Sequence, residues 1–288
     1  MSFPRKNPIG LIAGNGNLPL LFAQKVAVEE LRPLVVAAHR GETDVRIQEM
    51  VDDVLWVTLG RFKKIIAFFK ERQVQDLVLA GGISKSAIWR VRPDAMALTL
   101  IWRLKNLHDD HLLRGIAAEL AKHGFQVRSV TDYLPQLLVA EGILSDRRPD
   151  DEMWKDIQIG WKAAKMLGSL DIGQGVVVKK GVVVAVEAIE GTDAMIRRAG
   201  DLTCGSGKTW VGRGEVILVK TSKPGQDLRL DLPTVGPGTV EKMHAAGLSV
   251  LVIEAGKTIV LDPEETLRRV NRYGHVLVAC SEEGLGGR

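Results

Sequence analysis

Short continuous apolar runs alternate with amphipathic stretches along the first 130 residues of the chain. IGLIAG (Ile9–Gly14) reads as a buried strand and Asn15-Gly16-Asn17 as a tight turn. Leu18–Leu31 then places Leu21, Phe22, Val26 and Leu31 at helical spacing. LVVAAH (Leu34–His39), VLWVTL (Val54–Leu59), DLVLAGG (Asp76–Gly82) and FQVRSV (Phe125–Val130) read as further strands. Phe62–Arg72, with Ile65, Ile66 and Phe69 on one face, Met96–Leu107 and Leu112–His123 read as the helices between them. Apolar strands that do not alternate with polar residues, separated by helices, predict a parallel sheet covered on both faces. The fold class expected is α/β, with a Rossmann-like N-terminal domain over residues 1–130.

The pattern loosens over 131–152, around Pro135, Gly142 and RRPDDE, which predicts a linker. A second domain, residues 153–288, opens with a helix at Met153–Leu167. Two β-branched runs, Val176–Val178 and Val182–Val186, flank the polar turn Lys179-Lys180-Gly181 and predict a hairpin. Strands at 216–220, 248–256 and 275–280, with helices at Thr239–Ala246 and Pro263–Tyr273, complete a mixed α/β domain.

Composition narrows the function classes. Of 288 residues, 45% are hydrophobic and 26% charged, the balance of a globular protein with ample core material. The net charge of +4 suits an anionic substrate or an anionic membrane surface, and no aromatic RNA-binding motif or zinc-finger spacing accompanies it, so nucleic acid is not an expected partner. Cys204 and Cys280 are too few and too far apart for a disulfide framework, which predicts a reducing, cytoplasmic setting. The N-terminus lacks the apolar core of a secretory signal, and no run reaches the ~20 apolar residues of a membrane span, so lipid would be met from the side.

KPGQDLRLDLPTVGPGTV (Lys223–Val240) carries the densest chemistry. Asp227 and Asp231 suit a hard divalent cation, whereas Arg229 and Lys223 suit phosphate oxygens. Gly225, Gly236 and Gly238 let backbone N–H groups approach a ligand. Asp227 lies in the most turn-like part, and Asp231 alternatively ends a strand. The plain alternative is a surface loop with two solvated aspartates. GLIAGNGNLP (Gly10–Pro19) runs a strand through Gly14 and Gly16 into a helix N-terminus, which suits an anion. Proline at 19 breaks the dinucleotide fingerprint, and Ala38-His39-Arg40 replace the acidic residue expected at the end of the second strand, which argues against NAD. LVLAGGISK (Leu77–Lys85) puts Gly81, Gly82 and Lys85 at another strand's carboxyl end. In HDDHLLRG (His108–Gly115) one aspartate is expected to cap the following helix, and the two histidines lack partners for zinc. In VEAIEGTDAMIRRAG (Val186–Gly200) Glu187 and Glu190 end a strand and Thr192 or Asp193 caps a helix, an edge fit for metal or phosphate or simply a capped helix. GSGKT (Gly205–Thr209) has only the tail of a P-loop, with the first glycine misplaced.

IAGNGNLP, LAGGISK, DDHLLR, EGTDAMIRRAG and KPGQDLRLDLPTVGPGTV together resemble the UDP-2,3-diacylglucosamine pyrophosphatase family of lipid A biosynthesis, the type unrelated to calcineurin-like metallophosphoesterases. The resemblance runs from about residue 8 to about residue 280. It implies two α/β domains that hold the lipid nucleotide between them. It implies Mg²⁺-dependent cleavage of UDP-2,3-diacylglucosamine to lipid X (2,3-diacylglucosamine 1-phosphate) and UMP. It also implies a cytoplasmic enzyme touching the inner membrane peripherally. Asp227 and Asp231 are then expected to be metal ligands, directly or through water, and catalytic residues, one of them orienting the attacking water, with the catalytic Arg229 and Lys223 clamping phosphoryl oxygens. Gly14, Gly16, Gly81, Gly82, Lys85, Glu190, Thr192, Asp193, Lys223, Gln226 and Thr234 are the expected substrate contacts, with Arg197 a further phosphate candidate. The acyl chains are expected against strands such as 176–178, 182–186 and 248–253, whose valines otherwise serve as core. With no evident Ser, Cys or His nucleophile, direct attack by water is expected. A nucleotide–lipid carrier without turnover and a nucleotide-dependent oxidoreductase are the rival readings, and the sequence leaves a monomer or a homodimer open.

Overall fold

A computed structural model of the chain describes residues 7–28, 32–84, 91, 93–103, 109–204 and 215–286. It divides into two compact units, one of Met1–Pro135 with Asp227–Asp231, the other of Gln136–Gln226 with Leu232–Arg288. Both are α/β, the first with a parallel sheet and the second with a mixed one.

Among the described residues the first unit holds β1 (Ile9–Ala13), β2 (Leu34–His39), β3 (Asp53–Val57), β4 (Asp76–Ala80) and β5 (Gln126–Arg128). They pair in parallel in the order β3-β2-β1-β4-β5, so the chain moves outward from β1 on one side and then returns to β1's other side. Helices α1 (Leu18–Val28), α2 (Ile47–Met50), α3 (Phe62–Glu71), α4 (Ala95–Arg103) and α5 (Asp109–Lys122) accompany them. On α3, Phe62, Ile65, Ile66 and Phe69 recur at helical spacing and are buried, so one stripe of the helix enters the core. Gly10 permits that approach: a Cβ there would stand 2.3 Å from Leu77 Cδ2 and 3.1 Å from Phe69 Cε1. The aspartates expected to precede α5 lie within it.

The second unit has β6 (Gly142–Ile143), β7 (Gly175–Lys179), β8 (Val182–Val186), β9 (Ile217–Lys220), β10 (Thr234–Val235), β11 (Val250–Glu254), β12 (Ile259–Val260) and β13 (Val276–Cys280). Six of these form one sheet in the order β6-β13-β11-β9-β7-β8, parallel through β13, β11 and β9 and antiparallel at both edges. The expected hairpin is β7–β8, turned at Lys180 and Gly181, whose φ values of 49° and 75° suit a tight two-residue turn. The strands β6, β10 and β12 and the helix α2 carry no clear period, because two to four residues are too short to show one.

Helix α6 (Asp151–Ser169) starts at an Asp150 cap whose carboxylate accepts the Met153 N–H at 2.8 Å. Met153, Ile157, Trp161 and Ala164 of α6 pack on alternate positions of the sheet, Val176, Val178, Ile217, Val219, Val250 and Val252. The other positions, Val177, Leu218, Leu251 and Ile253, meet α7 (Thr192–Cys204) through Met195, Ile196 and Ala199 and α8 (Pro237–Ala245) through Val240 and Met243. The valines considered for an acyl pocket at 176–178 and 250–252 are therefore spent on these two core layers. Helices α9 (Pro263–Arg272) and α10 (Glu282–Gly286) complete the unit. Among the described residues, no helix is long and apolar enough to cross a membrane.

Candidate functional site

The glycine turns after β1 and β4 meet at the carboxyl edge of the first unit's sheet, where the strand order reverses. Gly14 N–H donates to the Ala80 carbonyl at 2.8 Å and Asn15 N–H to the Gly82 carbonyl at 2.7 Å. A Cβ at Gly14 would stand 2.2 Å from the Gly82 oxygen, and one at Gly81 would stand 2.3 Å from the Asn15 oxygen. Gly16 and Gly81 both have φ of +83°, the region that disfavours a side chain. Thus Gly14 and Gly81 are required for two backbones to touch, a Cβ at Gly82 would meet only the Asn15 side chain, and Gly16 serves only the turn. Lys85, on the second of these motifs, lies outside the described residues, as does GSGKT.

A residue absent from the sequence-based site ties these turns together. Glu42 accepts Asn15 Nδ2 at 2.9 Å, Ser84 N–H at 2.7 Å and the Ser84 hydroxyl at 2.6 Å. Partial burial works to raise the Glu42 carboxyl, but the bonds from Ser84 and Asn15 outweigh it and hold it below its ordinary value. Next to it, buried His39 approaches the Ala13 carbonyl through Nδ1 at 2.9 Å, and Thr43 Oγ1 donates to the same carbonyl at 2.6 Å. Burial pushes the His39 pKa down despite that bond and the Glu42 charge. A depression of about 700 Å³, lined by Arg40, Glu42, Thr43, Asp44, Gln48 and Trp56, opens at this edge. The missing signal was position: Glu42 stands three residues beyond β2, in a turn whose polar residues resemble any surface loop.

Asp227–Asp231 folds into a tight turn of its own. Leu230 N–H donates to the Asp227 carbonyl at 2.9 Å and Asp231 N–H to the same oxygen at 3.3 Å. Arg229 grips the Asp227 carboxylate at two points, Nε to Oδ1 at 3.0 Å and Nη2 to Oδ2 at 2.7 Å, and its backbone N–H reaches Oδ1 at 3.1 Å. Those side-chain bonds, above all, hold the Asp227 carboxyl below its ordinary range, with the charges of Arg229 and Arg114 adding to them and partial burial opposing. Arg114 belongs to the DDHLLR motif, so two separate sequence motifs converge electrostatically on Asp227. Ser129 Oγ donates to the Leu228 carbonyl at 3.4 Å.

In the second unit, the root of the same loop is held by buried charge. Glu254 Oε2 accepts Lys165 Nζ at 2.6 Å, Ser222 N–H at 2.8 Å and the Ser222 hydroxyl at 2.8 Å. Lys165 also donates to the Ser222 carbonyl at 3.1 Å, and Lys257 reaches Glu254 Oε1 at 2.9 Å. Burial works to raise the Glu254 carboxyl, but the lysines and Ser222 bring it below its ordinary value. Lys223 pairs with Asp171 at 2.5 Å, and Gln226 Oε1 accepts the Lys223 N–H at 3.0 Å. Glu190 pairs with Arg198 at 2.7 Å, Asp193 with Lys242, and Arg197 is exposed. Thr192 and Thr234 share Lys220, whose Nζ donates to Thr192 Oγ1 at 3.1 Å and to the Thr234 carbonyl at 3.0 Å. Thr192 does not spend its hydroxyl proton on a helix cap; it donates to Glu187 Oε1 at 2.7 Å.

Among the described residues no group of three or more His, Cys, Asp or Glu side chains gathers in one place. Asp227 and Asp231 nevertheless lie on one hydrogen-bonded turn and offer hard oxygen donors. Asp227 is oriented by three hydrogen bonds from Arg229, so the donor set is two carboxylates on one turn. That chemistry fits Mg²⁺, which keeps several waters and takes one or two protein carboxylates beside substrate phosphates.

The fold and these motifs define a two-domain α/β protein of a single family over nearly its whole length. Residues 8–137 match the model of the LpxI N-terminal domain, and residues 140–278 match that of the LpxI C-terminal domain. The UDP-2,3-diacylglucosamine pyrophosphatase LpxI of Caulobacter vibrioides is 34% identical over 278 residues, covering 92% of this chain and 95% of that protein. The chain belongs to the LpxI family, the UDP-2,3-diacylglucosamine pyrophosphatases. Among solved structures, the biotin carboxylase subunit of a pyruvate carboxylase overlaps 74% of this chain and 43% of its own at 12% identity, with a TM-score of 0.27. A biotin carboxylase of Campylobacter jejuni overlaps 68% and 41% at 13% identity, also with a TM-score of 0.27. Overlaps that loose define no shared fold.

Proposed function

We propose that this protein hydrolyses the pyrophosphate of UDP-2,3-diacylglucosamine to 2,3-diacylglucosamine 1-phosphate and UMP, with Mg²⁺ as cofactor, in lipid A biosynthesis. Membership of a hydrolase family, spanning both domains, carries the reading. The site residues give it chemical content. Water adds its oxygen to one phosphorus, the bridging P–O bond breaks, and the water's protons are left to the products and solvent.

Asp227 and Asp231 are the residues that would hold Mg²⁺. When bound, the cation neutralises pyrophosphate charge and stabilises the leaving phosphate. Asp227 is a poor proton acceptor, because the bonds from Arg229 hold its carboxyl below the ordinary carboxylate range. Its part is to hold and orient by accepting hydrogen bonds. Arg229, 60% exposed at its side chain, can keep one edge on Asp227 and still face phosphoryl oxygens. The strand order β3-β2-β1-β4-β5 supports a Rossmann-like first domain, and its reversal at β1 and β4 favours the Gly14–Gly16 and Gly81–Gly82 turns as the place of the nucleotide phosphates. The net charge of +4 is compatible with cytoplasmic protein visiting an anionic bilayer face to collect its lipid substrate.

The test is Mg²⁺-dependent UMP release from UDP-2,3-diacylglucosamine by the purified chain, with Asp227→Ala alongside. Full release by wild type in EDTA, or by that variant, contradicts the proposal.

A further inference from the structure

Thr192 and Thr234 belong to different motifs, yet one buried ammonium reaches both. Lys220 ends β9, is 6% exposed, and donates to Thr192 Oγ1 at 3.1 Å and to the Thr234 carbonyl at 3.0 Å. Glu187, 7% exposed, accepts the Thr192 hydroxyl at 2.7 Å. Strand register explains the meeting. Lys220 lies opposite Gly175 on one side of β7, and Glu187 N–H bonds the Gly175 carbonyl on the other at 2.8 Å. Residues opposite one another in antiparallel strands project to the same face. Lys220 and Glu187 therefore rise on one face with a glycine between them. A Cβ at 175 would stand 2.7 Å from Glu187 Oε2, so that row needs the glycine.

This arrangement is costly as mere core. Lys220 Nζ bonds two neutral oxygens, Thr192 Oγ1 and the Thr234 carbonyl, and Glu187 Oε2 is buried with no hydrogen-bond partner. Apolar side chains of the same volume would fill the space at lower desolvation cost. What the two charges achieve is direction. The Thr192 proton is committed to Glu187 and one lone pair to Lys220, so the oxygen has one lone pair left for a ligand.

We propose that Lys220 and Glu187 are positioning residues that aim Thr192, and hold the Thr234 backbone beside it, for a donor group of the substrate: a hydroxyl or amide N–H of an acylated sugar phosphate. This inference rests on the pyrophosphatase reading above. Lys220 acts through Thr192 and does not itself touch the reacting atoms.

The experiment measures kcat, KM and melting midpoint for hydrolysis of UDP-2,3-diacylglucosamine by four proteins: wild type, Thr192→Val, Lys220→Met/Glu187→Gln, and the triple variant. The paired substitution removes both buried charges together, which keeps the domain foldable where Lys220→Met alone leaves a carboxylate uncompensated. The expected result is a loss in kcat/KM on the order of 10-fold or more in both Thr192→Val and the paired variant, with the triple variant within about threefold of the worse of them, since residues acting as one unit are not additive. A purely structural role predicts a lower melting midpoint with kcat and KM per folded molecule unchanged, and that result overturns the inference. Losses that multiply in the triple variant overturn it as well. A folded wild type that releases no UMP overturns the pyrophosphatase reading and this inference with it, whereas an active wild type with an unimpaired paired variant overturns this inference alone.

Discussion

Arg229 holds Asp227 by both carboxylate oxygens, Nε at 3.0 Å and Nη2 at 2.7 Å, within a turn that also aims the Arg229 backbone N–H at the same group. The pair is local, two residues apart, so it forms as the loop forms. A planar guanidinium matched to a carboxylate gives geometry that lysine cannot. Arg229→Lys is therefore expected to behave nearly as Arg229→Ala. Both should lower kcat by roughly 10-fold or more, the scale of lost oriented charge in a phosphoryl site. Equal kcat for wild type and Arg229→Lys would show that two-point geometry is not used.

The same pair sets a pH dependence. Asp227 has a folded pKa below its ordinary value, so its ionised form is kept as pH falls and is lost only as pH passes down through that lowered pKa. Without Arg229 the carboxyl rises toward its ordinary range of about 4. The acid limb of kcat/KM is expected to move to higher pH in Arg229→Ala. A pH–rate profile of the two proteins checks this, and an unmoved acid limb contradicts it.

Much of this was legible in the sequence. Phe62, Ile65, Ile66 and Phe69 announced their helix by period, and Val176–Val178 and Val182–Val186 announced their hairpin by β-branching around a polar turn. Gly14 and Gly81 were visible as glycines at strand ends, and the contact between them was not, since 67 residues separate the two positions. Glu42 and Lys220 were missed for a related reason. Each works through partners far away in sequence, Ser84 for one and Thr192 and Thr234 for the other, and neither breaks its local pattern.

Glu254 is the costliest side chain to remove from the loop's root. Its carboxylate, 5% exposed, holds Lys165, Lys257 and two groups of Ser222. Glu254→Ala leaves Lys165 without its carboxylate and is expected to destabilise the protein by about 3–5 kcal/mol. Urea unfolding measures that cost, and a change under about 1 kcal/mol would contradict the pairing. The sign with pH follows from the lowered Glu254 pKa: its stabilisation is present above the ordinary carboxylate pKa and is lost as pH falls through the folded value.

The glycine turns separate contact from conformation. Gly14→Ala drives a Cβ to 2.2 Å from a backbone oxygen, which only a shift of one turn relieves. Gly16→Ala meets nothing within 4 Å and carries only the cost of φ at +83°, on the order of 1–2 kcal/mol. Gly14→Ala is expected to be the more destabilising and to weaken UMP binding more. Calorimetric titration with UMP and thermal melts of both variants decide it. The reverse order would show that the turns do not need their contact.

The most direct test of the central claim is hydrolysis of UDP-2,3-diacylglucosamine by wild type and Asp227→Ala, each with Mg²⁺ and with EDTA. The account predicts metal-dependent release of UMP and 2,3-diacylglucosamine 1-phosphate by wild type. It predicts a loss on the order of 100-fold or more in a folded Asp227→Ala protein. Full activity of that variant, or of wild type in EDTA, would contradict it.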